Sequence, residues 1–184
     1  MQAVALCNKL DFYYYQNKQL DSITHYVNIV KDFARKTNQP KYYYFAWSKR
    51  LINYYIKQHQ NNIALYEANK MMQEAEQEKY MDGIANAYNV LSSIYQLKRL
   101  YSLAIDNKKK EIEITLEYGL DKYNLSTTYS ILGGLYSLIG KTEEALEYLN
   151  KSATCIYSST QALYDYVRIE QYCLLIKDNA QAWE

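Results

Sequence analysis

The sequence predicts an all-α fold, a right-handed α-solenoid of antiparallel helix pairs repeating about every 40 residues. Three observations predict it. A leucine, a tyrosine four places on and a small or β-branched aliphatic nine beyond that recur four times: Leu10, Tyr14, Ile23; Leu51, Tyr55, Ala64; Leu91, Tyr95, Ala104; Leu132, Tyr136, Ala145. The tyrosines are 41, 40 and 41 residues apart, the fixed period of stacked units that cannot each bury a core alone. The i, i+4 spacing puts each Leu and Tyr on one helix face, whereas a strand would alternate at period two. One proline and five glycines in 184 residues leave few breakers for a sheet-rich fold, and 49% hydrophobic content exceeds that of a disordered chain.

The elements follow from the polar segments between these landmarks. Gln16-Asn17-Lys18, Gln58-His59-Gln60-Asn61-Asn62, Lys98-Arg99 and Gly140-Lys141-Thr142 each separate a tyrosine from its aliphatic partner and predict a turn inside each pair. Thr142, followed by Glu143 and Glu144, is a predicted helix cap, since a hydroxyl can accept from free amides and carboxylates suit the positive end of the helix dipole. Asn38-Gln39-Pro40, Asp82-Gly83, Gly119 and Ser158-Ser159-Thr160 mark the ends of successive units. One domain over 1–184 is expected, with units at about 3–39, 40–81, 82–121 and 122–159 and a partial one at 160–184, where Ile169, Cys173 and Ala182 repeat the spacing in milder chemistry. Neither end supplies a polar capping element, so the chain is expected to be a piece of a longer one.

Composition narrows the function classes. Twenty-one basic side chains against twenty acidic ones give a net charge of +1, so no field draws the whole molecule to nucleic acid or to an anionic membrane. No run approaches the ~20 apolar residues of a membrane span. Cys7, Cys155 and Cys173 lack metal-ligand spacing and are expected as buried thiols in helices. The two histidines, His25 and His59, fall in different units, and there is no HExxH and no phosphate-cradling glycine loop. No enzyme activity, cofactor or metal is expected of this segment. Lys108-Lys109-Lys110-Glu111 is expected to be a solvated helix face.

Helix pairs with an aromatic, a Leu three on, a small residue next, a Tyr after three more and an Ala nine beyond resemble the tetratricopeptide repeat. The fourth unit carries this best, in Tyr129, Leu132, Gly133, Tyr136, Gly140 and Ala145; the third has Tyr88, Leu91, Ser92, Tyr95, Tyr101 and Ala104. The first two units depart from it, with Cys7 and Ser48 at the aromatic place and Asp11 and Ile52 at the small one. The long period resembles the sensor regions of bacterial signalling proteins, Bacteroides-type histidine kinases and peptide-responsive regulators. That resemblance implies a periplasmic segment under a kinase parent and a cytoplasmic one otherwise.

In such a stack the first helix of each pair lines the concave face. Positions two before and two after the recurring Leu, with the one after the Tyr, then point inward. The candidate binding residues are Asn8, Phe12 and Tyr15, then Lys49 and Asn53, then Asn89, Ser93 and Gln96, and finally Ser130. Amides offer both donors and acceptors to the backbone of an extended peptide. Lys49 and Asn53 stand where chaperone-tail-binding members of the family keep a carboxylate clamp, but Val90, Thr127 and Ile131 leave that clamp incomplete.

The expected function is therefore a non-catalytic interaction module, the sensor or scaffold part of a larger signalling protein, taking a peptide or protein segment in its groove. The alternatives are a structural self-association module, a homodimer through exposed tyrosines, and the repeat domain of a peptide-responsive transcription regulator; the tyrosines beyond the recurring set, such as Tyr42-Tyr43-Tyr44, suit binding and self-association alike.

Overall fold

A computed structural model describes residues 5, 19–120, 125–155, 167, 170–174, 176 and 177. Among these, the regular elements are helices: α1 (Leu20–Lys36), α2 (Pro40–Ala46, running through a π-helical stretch Trp47–Ile52 into Asn53–Lys57), α3 (Asn61–Gln77), α4 (Met81–Leu97), α5 (Tyr101–Glu117), α6 (Leu125–Leu138) and α7 (Thr142–Thr154). They fall into two compact units, Met1–Lys98 with α1 to α4 and Arg99–Glu184 with α5 to α7. In the first unit α1 packs on α2 and α3 on α4; in the second α5 packs on α6 and α6 on α7. Short turns make such neighbours antiparallel, so the all-α class of helix pairs expected from the sequence is the class observed. Leu10, Tyr14, the turn at 16–18 and the boundary at 158–160 lie outside the described residues.

The recurring residues build the core. Ile23, Ala64, Ala104, Leu132 and Ala145 are fully buried, and Leu51 and Leu91 nearly so. The tyrosines divide. Tyr136 is buried, whereas Tyr55 and Tyr95 are half-buried. All three sit in the last turn of their helix, but only Tyr136 is covered by a stacked ring, Tyr148, with planes 3° apart and centroids at 5.5 Å.

Helix ends repeat one device. Asn38, His59, Lys79, Gly119 and Gly140 each take a positive φ, and the next residue's N–H reaches five residues back: Gln39 to Ala34, Gln60 to Tyr55, Tyr80 to Ala75, Leu120 to Thr115 and Lys141 to Tyr136. This is the Schellman closure, which satisfies carbonyls left over at a helix end. Gly119, expected at the end of a repeat, closes α5 with no side chain to strain its φ of 59°.

Two boundary expectations are corrected. Gly83 does not end a unit, because Lys79 and Tyr80 already turn the chain and Gly83 lies inside α4. There a Cβ would come within 2.8 Å of the Tyr80 ring, 3.0 Å of Ala75 and 3.1 Å of the Tyr44 ring, so the glycine serves close helix packing. Thr142 does not cap α7: Lys141 holds the cap position without a side-chain bond, and Thr142 is the first helical residue. Glu143 and Glu144 do lie in the first turn, and a hydrogen bond to its own backbone N–H holds the Glu144 carboxyl below the usual range.

The first unit also explains its irregular sequence. Seven positions separate Pro40 from Trp47 and Met81 from Tyr88, but Trp47 to Leu51 spans four positions where Tyr88 to Leu91 spans three. The π-helical stretch absorbs this extra residue, and its bond from Asn53 N–H to the Ser48 carbonyl closes the wider i, i−5 turn. Trp47, not Ser48, therefore occupies the aromatic place of the unit.

Candidate functional site

The first unit assembles five of the expected site residues on two neighbouring helices. Lys49 and Asn53 come from α2, and Asn89, Ser93 and Gln96 from α4, which packs beside it. Lys49 and Ser93 are exposed, while Asn53, Asn89 and Gln96 are half-buried. The α4 residues fall at i, i+4 and i+7, one face of a helix, and Ser93 donates to the Asn89 carbonyl at 3.1 Å, which orients its side chain along the helix. The surface is polar and carries basic groups on α2, whose sequence contains Lys41, Lys49, Arg50 and Lys57 and no carboxylate.

Sequence reasoning missed three residues of this region. Phe45, 43% exposed, lies 5.5 Å beneath the Arg50 guanidinium, a cation over an aromatic face. Asn86 is half-buried and donates through Nδ2 to Ser48 Oγ at 3.2 Å and to the Tyr44 carbonyl at 3.4 Å. Its signal in the sequence was available, since Asn86, Asn89 and Ser93 form an i, i+3, i+7 stripe.

The other expected positions stand differently. Asn8, Phe12 and Tyr15 lie outside the described residues. Ser130 is fully buried, with no hydrogen-bond partner for its hydroxyl among the described residues, and so is not an exposed groove position. The cause lies on the same face of α6, where a Cβ at Gly134 would overlap the Tyr172 ring. The Tyr172 ring covers that face at Gly134. Cys173, next to Tyr172, is exposed and Cys155 half-buried, so the expected burial of these thiols does not hold; successive helical residues point about 100° apart, and Tyr172 takes the inward direction.

Two charged clusters are structural. Glu74 of α3 receives Lys31 Nζ at 2.7 Å and Arg35 Nη2 at 2.9 Å from α1 and the Tyr43 hydroxyl at 3.3 Å from α2. Glu78 receives Arg35 at 2.8 Å and the Tyr44 hydroxyl at 2.8 Å. Burial, reinforced by the adjacent glutamates, pushes both phenols well above their ordinary range, so they remain donors. Lys31, Arg35, Glu74 and Glu78 line an open groove of about 420 Å³ with Lys70, Gln73 and Gln77, but its carboxylates are already engaged within the protein. In the second unit Lys108 is only 1% exposed and pairs with Glu111 at 2.7 Å, while Thr128 of α6 donates to the same carboxylate at 3.3 Å. The expected solvated face at 108–111 is thus corrected: Lys109 and Lys110 are exposed, but Lys108 and Glu111 are buried against α6.

Among the described residues no cluster of His, Cys, Asp or Glu is arranged to hold a metal ion, and no helix is long and apolar enough to cross a membrane. Residues 83–155 match the tetratricopeptide repeat, less than half of the chain. No curated protein matches it.

Proposed function

We propose that this chain is a non-catalytic protein-interaction module whose first unit takes an extended peptide segment across the α2 and α4 face. The observation that carries the reading is the set Lys49, Asn53, Asn89, Ser93 and Gln96, brought onto adjacent helices and left at least partly exposed while the recurring Leu and Ala residues are buried. Side-chain amides can serve both the N–H and C=O groups of a peptide backbone without a fixed charge pattern. Tetratricopeptide repeats generally mediate protein interaction, and the match over 83–155 supports that class. The parent we favour is a bacterial signalling protein of the histidine-kinase kind with this chain as sensor or scaffold, a reading that rests on the long period.

Selection of a random peptide display library against the chain should enrich binders, and the triple variant Asn53→Ala, Asn89→Ala, Gln96→Ala should lose them while keeping its helical circular dichroism. A triple variant that retains the same peptides rejects the face. Self-association is the second reading, favoured by Tyr66 and Tyr118, which are 65% and 52% exposed. Light scattering that gives a stable dimer, lost on Tyr66→Ser or Tyr118→Ser, would establish it.

A further inference from the structure

We propose that Asn86 is a positioning residue that holds the π-turn of α2, and that this turn decides which α2 side chains stand on the proposed binding face. A π-turn is intrinsically less favourable than the α-turn and persists where surrounding structure over-determines it. Two constraints do so here. The first half of α2 buries Tyr43, Tyr44, Ala46 and Trp47, and the second half buries Leu51 and Ile52. With one residue more than α4 between its aromatic and its Leu, α2 cannot satisfy both sets in one α-helical register.

Read in the register of its first half, the residues one and five places after Trp47 would match Asn89 and Ser93, one and five places after Tyr88. Those residues are Ser48 and Ile52, both buried. The π-turn shifts the register by one residue, and Lys49 and Asn53 take these places. Asn86 hydrogen-bonds the start of the turn from neighbouring α4. Its amide donates to the Tyr44 carbonyl, which also accepts the Trp47 N–H, and to the Ser48 hydroxyl, which in turn donates to the Phe45 carbonyl at 3.2 Å. A side-chain amide can supply these donors from outside the helix; a carboxylate of the same shape cannot.

The consequence for ligand presentation rests on the proposed function, but the turn itself can be followed without any ligand. Hydrogen exchange read by mass spectrometry on Asn86→Asp should show amides of residues 47–53 exchanging about 5- to 10-fold faster, the worth of one or two hydrogen bonds, with α3 protection unchanged. Deletion of Lys49 removes the extra residue while keeping Ser48. In that background α2 can run as a regular α-helix, and Asn86→Asp should then change exchange at the turn less than about twofold. Unchanged exchange in Asn86→Asp, or the same acceleration in both backgrounds, overturns the proposal. If Asn86→Asp loses protection throughout, the deletion must restore it; failure to do so also overturns it. Accelerated exchange at the turn with peptide binding retained would count against the binding face alone.

Discussion

At the scale of single residues, burial rather than recurrence sets what a side chain contributes. Leu132 is fully buried between helices, and Leu132→Ala should cost about 2–5 kcal/mol in urea denaturation. Tyr95 recurs just as strictly but is half-buried, so Tyr95→Ala should cost clearly less than the ~3–5 kcal/mol of a fully buried aromatic; equal losses for the two variants would contradict the packing described. Lys108 is the opposite case, a charge that the run of lysines made look exposed. Lys108→Ala would leave the buried Glu111 carboxylate with the Thr128 hydroxyl but without its counter-charge and should cost about 3–5 kcal/mol, whereas Lys110→Ala, on the exposed side, should fall within about 0.5 kcal/mol of wild type by the same denaturation. Lys108 lies four places from both Ala104 and Ile112 on the buried helix face, a direction the run of lysines obscured, whereas the cover that α6 gives it is set by tertiary packing.

At the scale of elements, α1, α2 and α3 are joined by the carboxylates of Glu74 and Glu78. Burial works against ionisation of Glu78, but hydrogen bonds from Tyr44 and Arg35, with the charges of Arg35 and Lys31, outweigh it and hold its carboxyl below the usual range. A carboxyl more acidic in the folded than in the unfolded chain adds stability that is complete above its unfolded value, ~4.3, and is lost as pH falls through its folded value. Thermal melts should therefore show the midpoint falling as pH drops below about 4.3, and Glu78→Gln should flatten that acid limb while lowering stability at pH 7. An acid limb of unchanged slope would remove Glu78 from the account. The helices and their turns were legible in sequence because polar segments interrupt each pair, and their boundaries fall within a few residues of those expected. The irregularity of α2 was present in the sequence as Trp47 displaced by one place from Ser48, yet reading it required knowing that a helix can absorb a residue without ending.

At the scale of the whole chain, near-neutrality is the governing quantity. With a formal charge of +1 at pH 7, few counterions can be released from a nucleic acid. A random DNA duplex at ~150 mM salt should show no retarded complex at ~1 μM protein in an electrophoretic shift, since even dedicated binders hold non-specific DNA only at ~1–100 μM; a complex at that concentration would reveal a basic surface that the composition hides. The sequence by itself determined the helical class, the repeat and the Leu and small residues of the core, because a 3.6-residue period and small residues at fixed places are local requirements of helix packing. Only the tertiary structure decided which polar residues are available to a partner. Asn53, Asn89 and Gln96 remain partly open, Ser130 is buried on the face that the Tyr172 ring covers, and Lys108 turns inward. The physical reason is that a polar side chain obeys no periodicity of its own: its exposure is fixed by what the neighbouring helix places against it.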